Sequence, residues 1–296
     1  MTDARFESGA PAYAAYVQTV EGRLRLDIAW ENFLSAVNET RAAQSTFNET
    51  EWGARAAKLA CAEEAERDRT GETTRDRATE TVRALDLGGG TGALALRFAA
   101  LGWPVSVVDP SATMLALAAE AARAEPFAGR VTFHQSAAEH AHELFAPRTF
   151  DAAVCHNVLE YVSDPRASVR ALAVLVKPGG MVSLVARNRA GESMRAAVKM
   201  HDLEAAERAL TAEQVRESLY GGAARLFDAR TLTALATDAG LHVIAERGVR
   251  VVADYLPASL SDTPDAYARL LSFELALGAR PDFAAVARYT QIIARA

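Results

Sequence analysis

The chain has 296 residues, half of them hydrophobic, enough to bury the core of one αβ domain without a second core. A formal net charge of −6 excludes a surface that attracts polyanions throughout, so any contact with nucleic acid has to come from a local basic patch. Two cysteines, Cys61 and Cys155, suit neither a disulfide framework nor a zinc site; no apolar run spans a membrane, and Met1-Thr2-Asp3-Ala4-Arg5 lacks a signal core, so the reading is cytoplasmic.

Residues 12 to 37 read as one amphipathic helix, with Leu24, Ile28 and Phe33 on its apolar side and Arg23, Arg25, Asp27 and Glu31 elsewhere, placed to lid a ligand edge. Tyr13 and Tyr16 share a face of it and read as packing. Residues 38 to 81, crowded with Glu, Arg, Thr and Ala, read as exposed helix plus flexible linker.

The apolar run Val82 to Leu87, the loop Gly88-Gly89-Gly90-Thr91-Gly92 and the helical pattern Ala93 to Ala100 then read as strand, glycine loop and helix. Without Cβ atoms such a loop turns sharply and lets a ligand approach the backbone, while the N–H groups of the next helix face it. Asp109 ends the following apolar run about 20 residues on, where an acid accepts both hydroxyls of a ribose; a helix-capping role is its bland alternative. Gly88, Gly90 and Ala93 also satisfy a loose dinucleotide fingerprint, so a nicotinamide or flavin enzyme has to be weighed. Asp86, at the end of the strand, argues against it, because a carboxylate there repels pyrophosphate and tolerates a cationic cofactor without phosphates, such as S-adenosylmethionine.

Thr149 to Tyr161 and Leu175 to Val182 stand at the spacing of a fourth and a fifth strand, and the alternation through Ala186 predicts a parallel sheet covered on both faces. Arg187 to Gly222 reads as a polar, mostly helical insertion that covers the substrate. Phe227 to Asp238 reads as a helix, and Leu241 to Asp254 and Val286 to Ala294 as the closing strands. His134, His140 and His142 lack a ligand register and read as solvated, so no metal is proposed.

The glycine loop with Asp86 and Asp109, followed by Thr149 to Tyr161 and Leu175 to Val182, resembles the class I methyltransferases. Gly22-Arg23-Leu24-Arg25 with Trp30, His156 to Pro165, Gly248 to Leu256, and Ala287-Arg288-Tyr289 resemble, in order, the bacterial tRNA 5-carboxymethoxyuridine methyltransferases. The resemblance implies an α/β, Rossmann-like fold, with a seven-stranded, mostly parallel sheet sandwiched by helices. It also implies an N-terminal helical extension with a charged insertion over 1–81, a catalytic domain over 82–296, and S-adenosyl-L-methionine as cofactor. By the same resemblance Arg25 reaches the methionine carboxylate, Asp86, Gly88, Gly89 and Gly90 form the cofactor loop, Asp109 binds the ribose, Ala138 and Glu139 flank the adenine, and His156 closes the site. The chain departs from that family in having no lysine between Leu203 and Tyr220 and in the length of 38–81.

Methyl transfer from a sulfonium is an in-line displacement that needs alignment and exclusion of water. A carboxylate acceptor is already ionised, so a cation such as Arg250 or Arg187 orients it, although Arg250 has pairing with Asp254 or Glu246 as its bland alternative. An amine or phenol acceptor would make His156 or Glu160 the base, and His156 also has a purely structural reading. The expected function is methylation of the 5-carboxymethoxyuridine carboxylate in tRNA, the alternative being a methyltransferase for a small biosynthetic metabolite. A tRNA partner requires Arg187, Arg189, Arg195, Lys199, Arg225, Arg247 and Arg250 to converge into a basic stripe.

Overall fold

The computed structural model describes residues 4–45, 82–217 and 219–296; Cys61 and the charged stretch beyond residue 45 lie outside these. The single N-terminal helix expected over 12 to 37 is two helices, α1 (Ala4–Gln18) and α2 (Val20–Ser45). Thr19 makes the break, its backbone N–H and hydroxyl both donating to the Tyr16 carbonyl at 3.0 and 2.7 Å. Gly22 permits the fold-back, because a Cβ there would lie 2.1 Å from the Tyr16 carbonyl oxygen.

The core then alternates β1 (Ala84–Leu87), α3 (Ala93–Ala100), β2 (Val105–Asp109), α4 (Ala112–Arg123), β3 (Val131–Gln135), β4 (Phe150–His156), α5 (Pro165–Leu175) and β5 (Val176–Arg187). Two helices follow, α6 (Arg189–Val198) and α7 (Leu203–Thr211), and then a small hairpin of β6 (Gln214–Arg216) and β7 (Ala223–Arg225). The cover expected to be helical over 187–222 therefore ends in a β-hairpin. The chain closes with α8 (Ala229–Asp238), β8 (His242–Val249), α9 (Pro264–Gly278), α10 (Pro281–Ala284) and β9 (Tyr289–Arg295).

The main sheet has the order β3-β2-β1-β4-β5-β9-β8, with β9 antiparallel to both neighbours and the other pairings parallel. Strand order reverses between β1 and β4, which opens a crevice beyond their carboxyl ends. On one face α2 sets Trp30, Phe33 and Val37 among Phe98, Trp103, Val105 and Val107, with the Trp30 and Phe98 rings 4.8 Å apart, edge to face. Each such side chain contributes about 1.5–3 kcal/mol by leaving water, so α2 is part of the core on this face of the sheet. On the other face α5 and α8 pack Val169, Leu172, Leu175, Leu232 and Leu235 against Leu85, Leu87 and Phe150.

The strand expected over Leu241 to Asp254 stops at Val249 because Arg250 takes a left-handed backbone conformation, φ 60°. Glu274 of α9, fully buried, then accepts the backbone N–H groups of Val251, Val252 and Ala253 at 2.6, 2.9 and 2.5 Å and holds the turn.

Candidate active site

The crevice is floored by the glycine loop. Gly88, Gly90 and Gly92 have φ of 70°, 52° and 77°, the left-handed region that glycine enters without strain. The Gly88 and Gly89 N–H groups donate to the Val108 carbonyl and lash the loop to β2. The N-cap of α3, Gly92, offers no side chain, and Asp86 supplies the missing acceptor by taking the Ala95 N–H at 3.2 Å. Asp86 is buried behind the loop rather than in the cavity wall, and Gly89 packs back on it, its absent Cβ 2.8 Å from the Asp86 carboxylate.

Asp109 lines the cavity and bridges two elements, one oxygen accepting the Gly90 N–H and the other the Ser111 N–H, both at 2.9 Å. The cap of α4 is Ser111, whose hydroxyl accepts the Met114 N–H. Each Asp109 oxygen keeps a second lone pair for a ligand hydroxyl.

Burial pushes the Asp86 carboxyl up to about 7 and the Asp109 carboxyl up to about 6. Unfolded, both ionise near pH 4, so the native state holds extra protons between about pH 4 and pH 7 and loses that stability as the pH rises through the window. Asp86→Asn keeps the acceptor for Ala95. Its stability relative to the parent is expected to rise across that window by on the order of a few kcal/mol. Thermal melts of the two proteins at low and neutral pH check this, and a difference independent of pH would contradict it.

Above the loop lies a cavity of about 460 Å³ lined, among others, by Arg25, Gly88, Gly90, Asp109, Ala138, Glu139, His156, Asn157, Glu160, Arg187 and Tyr289. Its roof is α1 and the β6–β7 turn, through Phe6, Tyr13, Tyr16, Leu219 and Tyr220. Tyr13 and Tyr16, read from the sequence as packing, face this cavity.

Arg25 is 4% exposed, donates to Tyr13 Oη at 2.9 Å and to Asn157 Oδ1, and lies 5.8 and 5.6 Å from the Tyr13 and Tyr16 rings. Its Nε has no partner, and among the described residues it has no ion pair. A buried cation without a counter-ion is strongly disfavoured, so this guanidinium is set for an anion that enters the cavity. Asn157, in the left-handed region at φ 56°, ends β4 and passes the contact on, its Nδ2 donating to Glu160 Oε1 at 2.9 Å.

His156 bonds through Nε2 to Ser183 Oγ at 2.8 Å, and Ser183 continues through Gln291 to Asn32 of α2. Burial, with Arg25 adding to it, lowers the imidazole pKa to about 3. It is a neutral wall group, poorly suited to take a proton near pH 7. Ala138 and Glu139 follow β3, and the Glu139 carboxylate accepts the Ser163 hydroxyl at 2.8 Å, joining two loops at the rim.

Arg250 does not line the cavity. Its left-handed backbone turns it onto Asp254 and onto Tyr16 Oη at 3.0 Å, so the expected orienting role is replaced by support of the wall from behind. Arg187 does line it, paired with Glu217 at 2.7 Å, and Glu217 also accepts the Tyr161 hydroxyl. Tyr289 had no sequence signal beyond the family likeness. Burial raises its phenol pKa, but Arg250, Arg288, Arg25 and Arg187 outweigh that and bring it down to about 8.

The cations expected to form a stripe divide. Arg187, Arg195, Lys199 and Arg250 gather with Arg288, and the Arg195 and Lys199 pKa values are held down by burial and by these neighbours, against Glu192 and Glu21 respectively. Arg189 turns to Asp228 and the Ala212 carbonyl, Arg225 to the carbonyls of Leu159 and Val162, and Arg247 to Glu39.

Residues 32–246 match the family model described as a methyltransferase domain. The chain belongs to that family. The methyltransferase is 30% identical to the tRNA 5-carboxymethoxyuridine methyltransferase of Escherichia coli (strain K12), over 73% of this chain and 80% of the relative. It is 36% identical to a ubiquinone biosynthesis O-methyltransferase of Xanthomonas campestris pv. campestris, over 40% of this chain and 48% of the relative. A solved S-adenosylmethionine-dependent methyltransferase from Mesorhizobium loti shares the fold with a TM-score of 0.52 at 19% identity, covering 75% of this chain and 94% of its own. S-adenosylmethionine is the cofactor of the methyltransferase, and the cavity fits it: a glycine cradle free of Cβ atoms, a buried guanidinium awaiting a carboxylate, and an acid with lone pairs to spare. Among the described residues no helix is long and apolar enough to cross a membrane, and no side-chain group could hold a metal ion.

Proposed function

We propose that this methyltransferase esterifies the carboxylate of 5-carboxymethoxyuridine in tRNA, in the cytoplasm. The observation that carries the reading is one cavity that joins a buried arginine, Arg187, to a wall of aromatic rings, Phe6, Tyr161 and Tyr220. A planar base bearing an anion matches both, since unstacked bases bind on aromatic faces and carboxylates on guanidinium groups. The 30% identity to the E. coli tRNA enzyme supports it, as does the gathering of Lys199 and Arg195, the latter paired with Glu192 at 3.9 Å, beside Arg288, a local concentration of positive charge suited to a phosphate backbone.

In this reading Arg25 holds the methionine carboxylate, the Gly88 and Gly90 backbone approaches the cofactor, Asp109 takes the ribose hydroxyls, and Ala138 and Glu139 flank the adenine. When bound, S-adenosylmethionine supplies an activated methyl group. The chain's own work is alignment and exclusion of water: α1 and the β6–β7 turn roof the cavity, and Arg187 orients the acceptor. An ionised carboxylate gives up no proton, which agrees with the neutral His156 in the wall.

Incubation with methyl-labelled cofactor and tRNA from a strain lacking the endogenous methyltransferase is expected to place label in an alkali-labile ester of 5-carboxymethoxyuridine. Label in another nucleoside, or none in tRNA, would contradict the reading. The second reading, a small acceptor, is favoured by the local pairing of Arg189, Arg225 and Arg247 and by the ubiquinone-pathway relative. It expects label in a small-molecule fraction instead.

A further inference from the structure

Three buried side-chain atoms have no hydrogen-bond partner among the described residues, Arg25 Nε, Arg250 Nε and Glu160 Oε2, and only the last is an acceptor. Glu160 is 4% exposed and lines the cavity. Its other oxygen, Oε1, is fully engaged, accepting Asn157 Nδ2 at 2.9 Å and the Arg187 backbone N–H at 2.8 Å. The carboxylate is thus locked in orientation from two sides while Oε2, itself buried, has no hydrogen-bond partner among the described residues. A buried oxygen left unpaired is costly, and a fold that fixes one so firmly without a protein partner presents it to a ligand.

The surroundings say what kind of ligand. Tyr161, the next residue, meets Phe6 and Tyr220 edge to face, the three rings 5.0–5.7 Å apart, and all three line the cavity. The Glu160 carbonyl accepts the Arg225 N–H at 3.0 Å, so the acid and the hairpin that carries Tyr220 are tied together. A fixed acceptor beside aromatic rings is the arrangement that reads the edge of a stacked heterocycle.

We propose that Glu160 Oε2 accepts a hydrogen bond from a ring N–H of the methyl acceptor, the imide N–H of a uracil. The proposal rests on the tRNA reading above and deepens it: Arg187 orients the carboxylate that receives the methyl group, and Glu160 reads the ring that bears it. It takes no part in proton transfer, since the acceptor carboxylate is already ionised.

The test uses a synthetic anticodon stem-loop carrying 5-carboxymethoxyuridine and a second whose 5-carboxymethoxyuridine is methylated at ring N3. The parent enzyme is expected to prefer the first by about 10- to 100-fold in kcat/KM, the loss of one charge-assisted hydrogen bond at a buried group. Glu160→Gln keeps the acceptor for Asn157 and Arg187 but turns an N–H₂ toward the ring. It is expected to raise KM for the first stem-loop by about the same factor and to abolish the preference, with affinity for S-adenosylhomocysteine unchanged. Equal rates of the parent enzyme on both stem-loops overturn the proposal and leave the tRNA reading standing. So does a Glu160→Gln enzyme that loses cofactor affinity with KM unaltered, which would assign Oε2 to the cofactor. No methylation of the first stem-loop by the parent enzyme removes both.

Discussion

Replacing Arg25 with lysine is expected to weaken S-adenosylmethionine binding by about 10- to 100-fold, because the charge stays but the bidentate, charge-assisted contact to a carboxylate is lost, a change of about 1.5–3 kcal/mol. Lysine keeps the charge but not the fork. The guanidinium spends one nitrogen on Tyr13 and another on Asn157 and still presents a face to a carboxylate, whereas an ammonium has no planar edge for bidentate contact. Calorimetry with S-adenosylhomocysteine reads the loss. A companion change separates binding from folding. Arg25→Met removes a buried cation that has no counter-ion among the described residues, so the ligand-free protein is expected to melt no lower than the parent while the ligand-induced rise in Tm disappears. Unchanged affinity in Arg25→Lys would exclude a carboxylate at this position.

Gly88→Ala is expected to lower kcat/KM at least about 100-fold with the fold retained. At φ 70° an alanine is strained by about 1–2 kcal/mol. Its Cβ would also fall 2.2 Å from Val158 Cγ2, so Val158 or the loop has to move. Val158 sits between Asn157, which bonds Arg25, and Glu160, so the displacement reaches both ends of the cavity. The double variant Gly88→Ala/Val158→Ala removes the two contacts under 3 Å and leaves the backbone strain and a tight 3.1 Å approach to the Cβ of residue 158, and it is expected to regain part of the lost activity. Full activity in Gly88→Ala alone would show that the loop does not depend on its left-handed turn.

These residues show where the sequence was informative. The strand, glycine loop and helix around Gly88 were legible because left-handed turns at fixed spacing leave glycines, and because parallel strands buried on both faces leave apolar runs such as those ending at Leu87 and Asp109. Asp109 reached the cavity from its position at a strand end alone. The direction in which Arg250 points was not legible, since it follows from a left-handed φ in a turn held by Glu274, which lies 23 positions beyond Val251 and carries no local mark. The break at Thr19 lay hidden in a continuous helical pattern and depends on the close approach at Gly22. The segments that form the roof were legible as covers, but the part that Tyr13 and Tyr16 play in it was not: Phe6, Tyr13 and Tyr220 come from segments more than two hundred residues apart at the extremes, and only the closed fold shows that they share a wall. The β6–β7 hairpin, three residues a side, is too short for an alternating pattern to announce it.

The cofactor is expected to lie over the glycine loop with its amino-acid end at α2. A crystal structure at saturating S-adenosylhomocysteine tests this most directly. The expected result is the ligand carboxylate on Arg25, the ribose hydroxyls on Asp109 and the adenine beside Ala138 and Glu139. Ligand density elsewhere, or in this cavity with the carboxylate turned away from Arg25, would contradict it.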